Sequence, residues 1–222
     1  MQNPSWMSLF ATYFIPMFTK GIEVTVPLTL ISFVLGLILA VLTALARLSG
    51  FAPLVAIARF YVWVIRGTPL LVQLFIIFYG LYQIGVTIPA FPSAVIGFTL
   101  SVGAYNSEII RAAILSIPKG QWEAAESLGM TRWQAMRRII IPQATRVAIP
   151  PLGNSFISLV KDTSLAAVIT VTELFHEAQA DAAVTYSPLV MYCEAAFIYL
   201  IFSTVLSTLQ SRIEKRLDRF VA

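Results

Sequence analysis

Arg66, Glu108, Arg111, Lys161, Asp162 and Glu194 are charged side chains set in stretches that are otherwise apolar. An ionisable group placed in hydrocarbon costs roughly 2.5–3.5 kcal/mol on insertion scales, so each marks a place where charge has a use. The chemistry on offer is that of binding. Asp162 and Glu194 can each receive an ammonium group, and polar Asn154, Ser155, Ser158 and Thr163 lie near Asp162 in sequence. Arg66, beside the interrupted backbone at Gly67 and Thr68, can grip a carboxylate through parallel N–H donors. The plainer use of Asp162 and Glu194 is interhelical hydrogen bonding. Glu108 and Arg111 lie three apart, so on a helix they face each other and can form a self-neutralising pair. Lys161 and Asp162 are adjacent, about 100° apart around a helix, and need different partners.

Catalytic chemistry has little material. The sole histidine, His176, and the sole cysteine, Cys193, leave little material for a His-based zinc site or a Ser–His dyad, and no internal disulfide. No G-x-x-x-x-G-K-[ST] stretch occurs, so the chain has no P-loop for a nucleotide.

The elements that would position these groups follow from composition. Hydrophobic residues make up 58% of the 222 and charged residues 12%. Soluble domains run near half and a quarter, so the composition predicts an integral membrane protein. A helix crossing about 30 Å of hydrocarbon needs roughly 20 mainly apolar residues. Spans are predicted over about 24–46, 60–82, 92–117, 147–171 and 189–209, in a single all-α domain covering 1–222. The second is broken or kinked, because Gly67 and Pro69 interrupt it. Residues 1–21 are apolar but short, and Pro16 is expected to end any helix there, giving an interfacial segment. They lack a basic n-region, so no cleaved signal peptide is expected.

Basic residues orient the spans. Arg47, Arg59 and Arg66 cluster between the first two. Arg111, Lys119, Arg132, Arg137, Arg138 and Arg146 surround the connection between the third and fourth. Arg212, Lys215, Arg216 and Arg219 follow the fifth. Of the 15 basic residues only Lys20 and Lys161 fall elsewhere. Five spans with the N-terminus outside and the C-terminus in the cytoplasm satisfy the rule. The outer connection carries Glu173, Glu177 and Asp181 four apart, read as a solvated acidic face, with His176 in the same short helix.

Residues 118–142 then form the longest cytoplasmic loop, and its chemistry is helical. Pro118 suits a first turn, Gly129 suits a left-handed C-cap, and "TRWQ" from Thr131 is a capping box opening a second helix that stops before Pro142. Two helices joined by a glycine turn also fit a DNA reader. Both ends of this pair are tied to spans, so it cannot enter a groove, and no nucleic-acid partner is expected.

"EAAESLG", Glu123 to Gly129, followed by nine residues and "IIIP", resembles the E-A-A-x-x-x-G-x(9)-I-x-L-P signature of ABC importer permeases. Ile141 replaces the usual leucine. "RGTPLLVQLFIIFYGL", "AYNSEIIRAAILSIPKGQWEAA" and "NSFISLVKDTSLAA" look like the polar amino-acid uptake branch, of histidine-permease type. The resemblance implies a type I importer permease: five transmembrane helices with a helix–turn–helix coupling loop in the bacterial inner membrane. By the same resemblance, such a permease is expected to move a polar amino acid, with cystine a candidate, from periplasm to cytoplasm. It implies that Glu123, Ala124, Ala125 and Gly129 dock a separate ATPase, which binds the ATP and Mg. A soluble substrate-binding protein and a second permease copy or paralogue complete the implied assembly. The substrate-pathway candidates are Glu194, Asp162, Arg66, Ser158 and Glu108. The rival reading is an ion-coupled secondary transporter or channel with Glu108, Asp162 and Glu194 as ion ligands; a coupling loop has no use there.

Overall fold

In the computed structural model the described residues are 6–218, and they are helical with short connections. Arg219, counted above with the basic tail, lies outside the described residues. Eight helices follow in chain order: α1 Trp6–Leu48, α2 Ala52–Gly67, α3 Leu70–Gln83, α4 Ala90–Leu115, α5 Lys119–Ser127, α6 Arg132–Ile169, α7 Leu174–Thr185 and α8 Pro188–Asp218. The last turns of α6, Thr163–Ile169, tighten to a 3-10 helix.

Three buried clusters hold these helices together. Leu28 of α1, Leu74 of α3, Phe98 and Val102 of α4 and Leu159 and Ile169 of α6 form the largest. A second joins Leu9 and Met17 of α1 to Leu174 and Ala178 of α7 and Met191 and Ile198 of α8. A third joins Ile114 of α4 to Ile140 and Ala144 of α6 near the start of the α5 connection. With little hydrophobic drive between helices in lipid, close approach through small residues does this work. A Cβ added at Gly36 would lie 2.5 Å from Val102 Cγ1, and one at Gly103 would lie 2.6 Å from Tyr61 Oη. Val34, Ile38, Val41, Leu42 and Leu45 are exposed at helical spacing along α1, an apolar stripe suited to lipid.

By length and composition, α1 and α8 can each cross a membrane. The number rises to four if α2 with α3, bent by 104°, and α6 with α7, bent by 53°, each count as one span. Five requires α4 as well. Its 26 residues are long enough, but Ser101, Asn106, Ser107, Glu108 and Arg111 interrupt its apolar run.

Two predicted helix ends are absent. Pro16 does not end the first segment: α1 runs through it for 43 residues, about 65 Å at 1.5 Å each. Packing on both sides of the proline outweighs the lost hydrogen bond. Phe14 lies 6.4 Å from Phe197 and Phe18 lies 5.5 Å from Phe202, ring centre to ring centre, and Met17 is fully buried. Nor does a helix stop before Pro142. A π turn over Met136–Ile140 precedes the proline, which stands in the first turn of the α-helical stretch Ile141–Asp162. The wider turn shifts the hydrogen-bond register there and accommodates the ring. Gly36→Val should lower the stability of the folded bundle by about 1–3 kcal/mol through overpacking, read as a lower unfolding temperature in detergent.

Candidate functional site

The break between α2 and α3 is built as the sequence expects. Thr68 and Pro69 are extended, ending α2 just after Arg66. A helix end leaves carbonyls without partners, and inside an apolar bundle these must be met. The buried Gln73 meets them. Its Nε2 donates to Ile65 O at 2.8 Å, Thr68 O at 3.1 Å and Thr68 Oγ1 at 2.9 Å. Arg66 is thereby held at the end of α2, over the Tyr105 ring at 5.2 Å.

Arg66 lies at the rim of a cavity of about 590 Å³ between α4 and α6. One helical face of α4, with Val102, Tyr105, Asn106 and Ile109, forms one wall. The facing residues of α6, Pro151, Ser155, Ser158 and Asp162, recur at three- and four-residue intervals and form the other. Of the predicted pathway residues, Arg66, Glu108, Ser158 and Asp162 therefore meet at one place, although up to 96 positions separate them in sequence. Asn154 and Ser155 join them. Glu194 does not. It is buried on the face of α8 that carries Met191 and Ala195 against α7, and neither carboxylate oxygen finds a hydrogen-bond partner there. Lys161 and Asp162 diverge as expected, with Lys161 lining a separate groove beside Tyr192 and Tyr199 of α8.

Glu108 has more partners than the predicted one. Arg111 Nη2 lies 3.0 Å from Glu108 Oε2, Arg47 of α1 donates to Oε1, and Arg66 Nη1 stands 3.7 Å from Oε1. One carboxylate thus ties α1, α2 and α4 together and leaves a surplus of positive charge beside the cavity. Arg47 was legible only as part of a basic loop; nothing local in the sequence pairs it with a residue 61 positions on.

The acidic stripe on α7 is not a solvated face throughout. Glu173 is fully buried and caps α7, accepting from His176 N at 2.8 Å and from Tyr199 Oη at 2.8 Å. Capping and a phenol donor make this carboxylate part of the packing rather than of the water-facing surface.

The segment from Lys119 to Gln143 folds as its local chemistry dictates. Pro118 precedes α5 as its N-cap, and Gly129 closes the helix at φ 73°. Gly129 N donates to Glu126 O at 2.9 Å and Met130 N to Ala125 O at 3.1 Å, the paired closing bonds of a Schellman motif. The capping box follows: Gln134 N donates to Thr131 Oγ1 at 3.3 Å, and Thr131 N donates to Gln134 Oε1 at 2.9 Å. Glu123, Ala124 and Gly129 are exposed, whereas Ala125 is fully buried in its own chain. The surface open to a partner is therefore narrower than the predicted set, and Ala125 seats the helix instead.

A lined cavity at a helix break thus stands beside a short helical segment that joins the two helices walling it. The chain belongs to the family described as "Binding-protein-dependent transport system inner membrane component", whose model matches residues 32–219. It is 59% identical to the L-cystine transport system permease protein TcyB of Bacillus subtilis (strain 168), over 94% of this chain and 90% of that one. It is 38% identical to the glutamine transport system permease protein GlnP of Escherichia coli (strain K12), over 91% of this chain and 94% of that one. A crystal structure of an amino acid ABC transporter with histidines matches 97% of this chain and 100% of its own, with a TM-score of 0.91 and 39% identity.

Removing the shared carboxylate should cost more than removing its loosest partner. Glu108→Ala leaves mutually repelling guanidiniums in a partly buried site and should destabilise the chain by on the order of 3 kcal/mol. Arg66→Ala removes an ion pair at an exposed rim and should cost less than about 1 kcal/mol. Thermal unfolding of the two purified variants in one detergent compares them.

Proposed function

We propose that this permease carries a polar amino acid across the bacterial inner membrane, cystine first among the candidates, powered by a separate ATPase that binds the ATP and Mg. The observation that carries the reading is the polarity of the cavity. Surplus positive charge stands at Arg66 beside Glu108, and Asp162 lines the facing helix and forms no salt bridge among the described residues. A zwitterion fits such a site, its carboxylate toward Arg66 and its ammonium toward Asp162, with Ser158 beside the latter. The likeness to TcyB, described as an L-cystine permease, supports cystine, and the likeness to GlnP extends the class to other polar amino acids.

Glu123, Ala124 and Gly129 form the docking surface for the ATPase in this reading, with Glu123 meeting a basic group. The helix α5 is closed at its C-terminus by the turn at Gly129 and stands between α4 and α6. A push on it reaches both walls of the cavity. A soluble binding protein delivers substrate at the outer face, and a second permease copy or paralogue completes the passage. The N-terminus lies outside and the C-terminus in the cytoplasm, by the distribution of basic residues. Glu194 in this reading braces α7 against α8 instead of contacting substrate.

Two substitutions test the two halves. Glu123→Lys should abolish uptake and release the ATPase on purification while the chain stays inserted; normal uptake with the ATPase still bound contradicts the docking assignment. Asp162→Asn should weaken amino-acid binding to the purified complex about 10- to 100-fold, the loss expected for a charge-assisted hydrogen bond. Unchanged affinity contradicts the cavity assignment.

A further inference from the structure

Asn106 is a polar residue of the cavity wall whose whole carboxamide the structure leaves unpaired among the described residues. It stands on the cavity-facing side of α4, between Tyr105 and Glu108, and exposes none of its surface to water. Both its Oδ1 and its Nδ2 lack any hydrogen-bond partner among the described residues. A carboxamide carries two donors on nitrogen and an acceptor oxygen, and buried amides in folded proteins are nearly always paired. Its polar neighbours on α4 are held elsewhere: Glu108 by Arg47, Arg66 and Arg111, and Ser107 by donating to Ala104 O at 2.7 Å. An unpaired amide in a cavity wall is a group kept for a visitor.

We infer that Asn106 selects the substrate's side chain. The inference rests on the cavity reading above, in which Arg66 and Asp162 take the amino acid's own charges. The side chain is then left to Asn106, and the amide states what it wants: a terminal group that donates and accepts at once and carries no net charge. A carboxamide side chain has that character, and so does the second zwitterionic end of cystine. An apolar side chain would leave Oδ1 and Nδ2 unpaired. A cationic one would satisfy only Oδ1 and would sit beside the surplus guanidinium charge of Arg47, Arg66 and Arg111. Rejection of substrates that leave a buried polar group unpaired is the strong form of selectivity available to such a site.

The test is direct binding of glutamine, cystine, methionine and lysine to the full chain assembled with its ATPase in lipid nanodiscs, by calorimetry and without a binding protein. The unsubstituted protein should bind glutamine and cystine more tightly than methionine or lysine. Asn106→Leu should weaken glutamine and cystine about tenfold and leave methionine unchanged or tighter. Asn106→Ala carries the same expectation if the leucine variant fails to assemble. Equal weakening for all ligands overturns the inference, because a packing role does that; so do unchanged affinities for glutamine and cystine. Ser158→Trp, which fills the cavity, separates the two levels. Binding that survives it, or no binding at all by the unsubstituted protein, overturns the cavity reading and this inference with it. Binding abolished by it, with selectivity indifferent to Asn106, overturns the inference alone.

Discussion

Glu108 holds a single negative charge among three guanidinium groups, and the middle of the bundle is arranged around that imbalance. Inside apolar surroundings an ion has to meet an opposite charge or water. Arg47 and Arg111 lie close against the carboxylate and are partly buried, while Arg66 stands farther off with 43% of its side chain exposed. The geometry therefore divides the labour. Two arginines complete a structural pair that ties α1 to α4, and the third is the one with freedom to turn toward the cavity. The break at Gly67–Pro69 is what puts it there, and Gln73 makes the break tolerable by donating to the carbonyls that the end of α2 leaves open.

The same two helices that wall the cavity continue to the coupling segment. The α4 helix ends at Leu115, α5 begins at Lys119, and α6 begins at Arg132. Short connections and well-formed caps keep slack out of this path, so a displacement of α5 has little way to dissipate before it reaches Ile114 and Ile140, which pack together in the third buried cluster. Pro150 and Pro151 on α6 lie where that cluster, which reaches Ala148, gives way to the cavity. They are the places where the helix can bend as the load arrives.

Much of this is legible in the sequence, and what is not has physical reasons. Local rules read well: the αL glycine at Gly129, the Thr131–Gln134 capping box and the break at Gly67–Pro69 depend on a few neighbouring residues, and each has the expected form. The helix runs through Pro16 and Pro142 against the local rule, because the cost of a proline is local whereas the packing that offsets it is not: Phe197 and Phe202 hold the helix together across Pro16 from the far end of the chain. Arg47 with Glu108, and Glu173 with Tyr199, are pairings across distant helices that no spacing rule contains. Asn106 carries its own signal, a carboxamide inside the predicted 92–117 span, but the charge of Glu108 two residues on marks the same stretch more strongly.

The account turns on whether the space between α4 and α6 is where an amino acid sits during transport. Site-directed labelling tests this most directly: Ser158→Cys, in a chain with Cys193→Ser, treated with a membrane-impermeant thiol reagent while the complete importer is idle, loaded with amino acid, or turning over ATP. The account predicts that Cys at 158 is labelled, that saturating amino acid protects it, and that ATP turnover changes its rate of labelling. Labelling at one constant rate under all three conditions would contradict it.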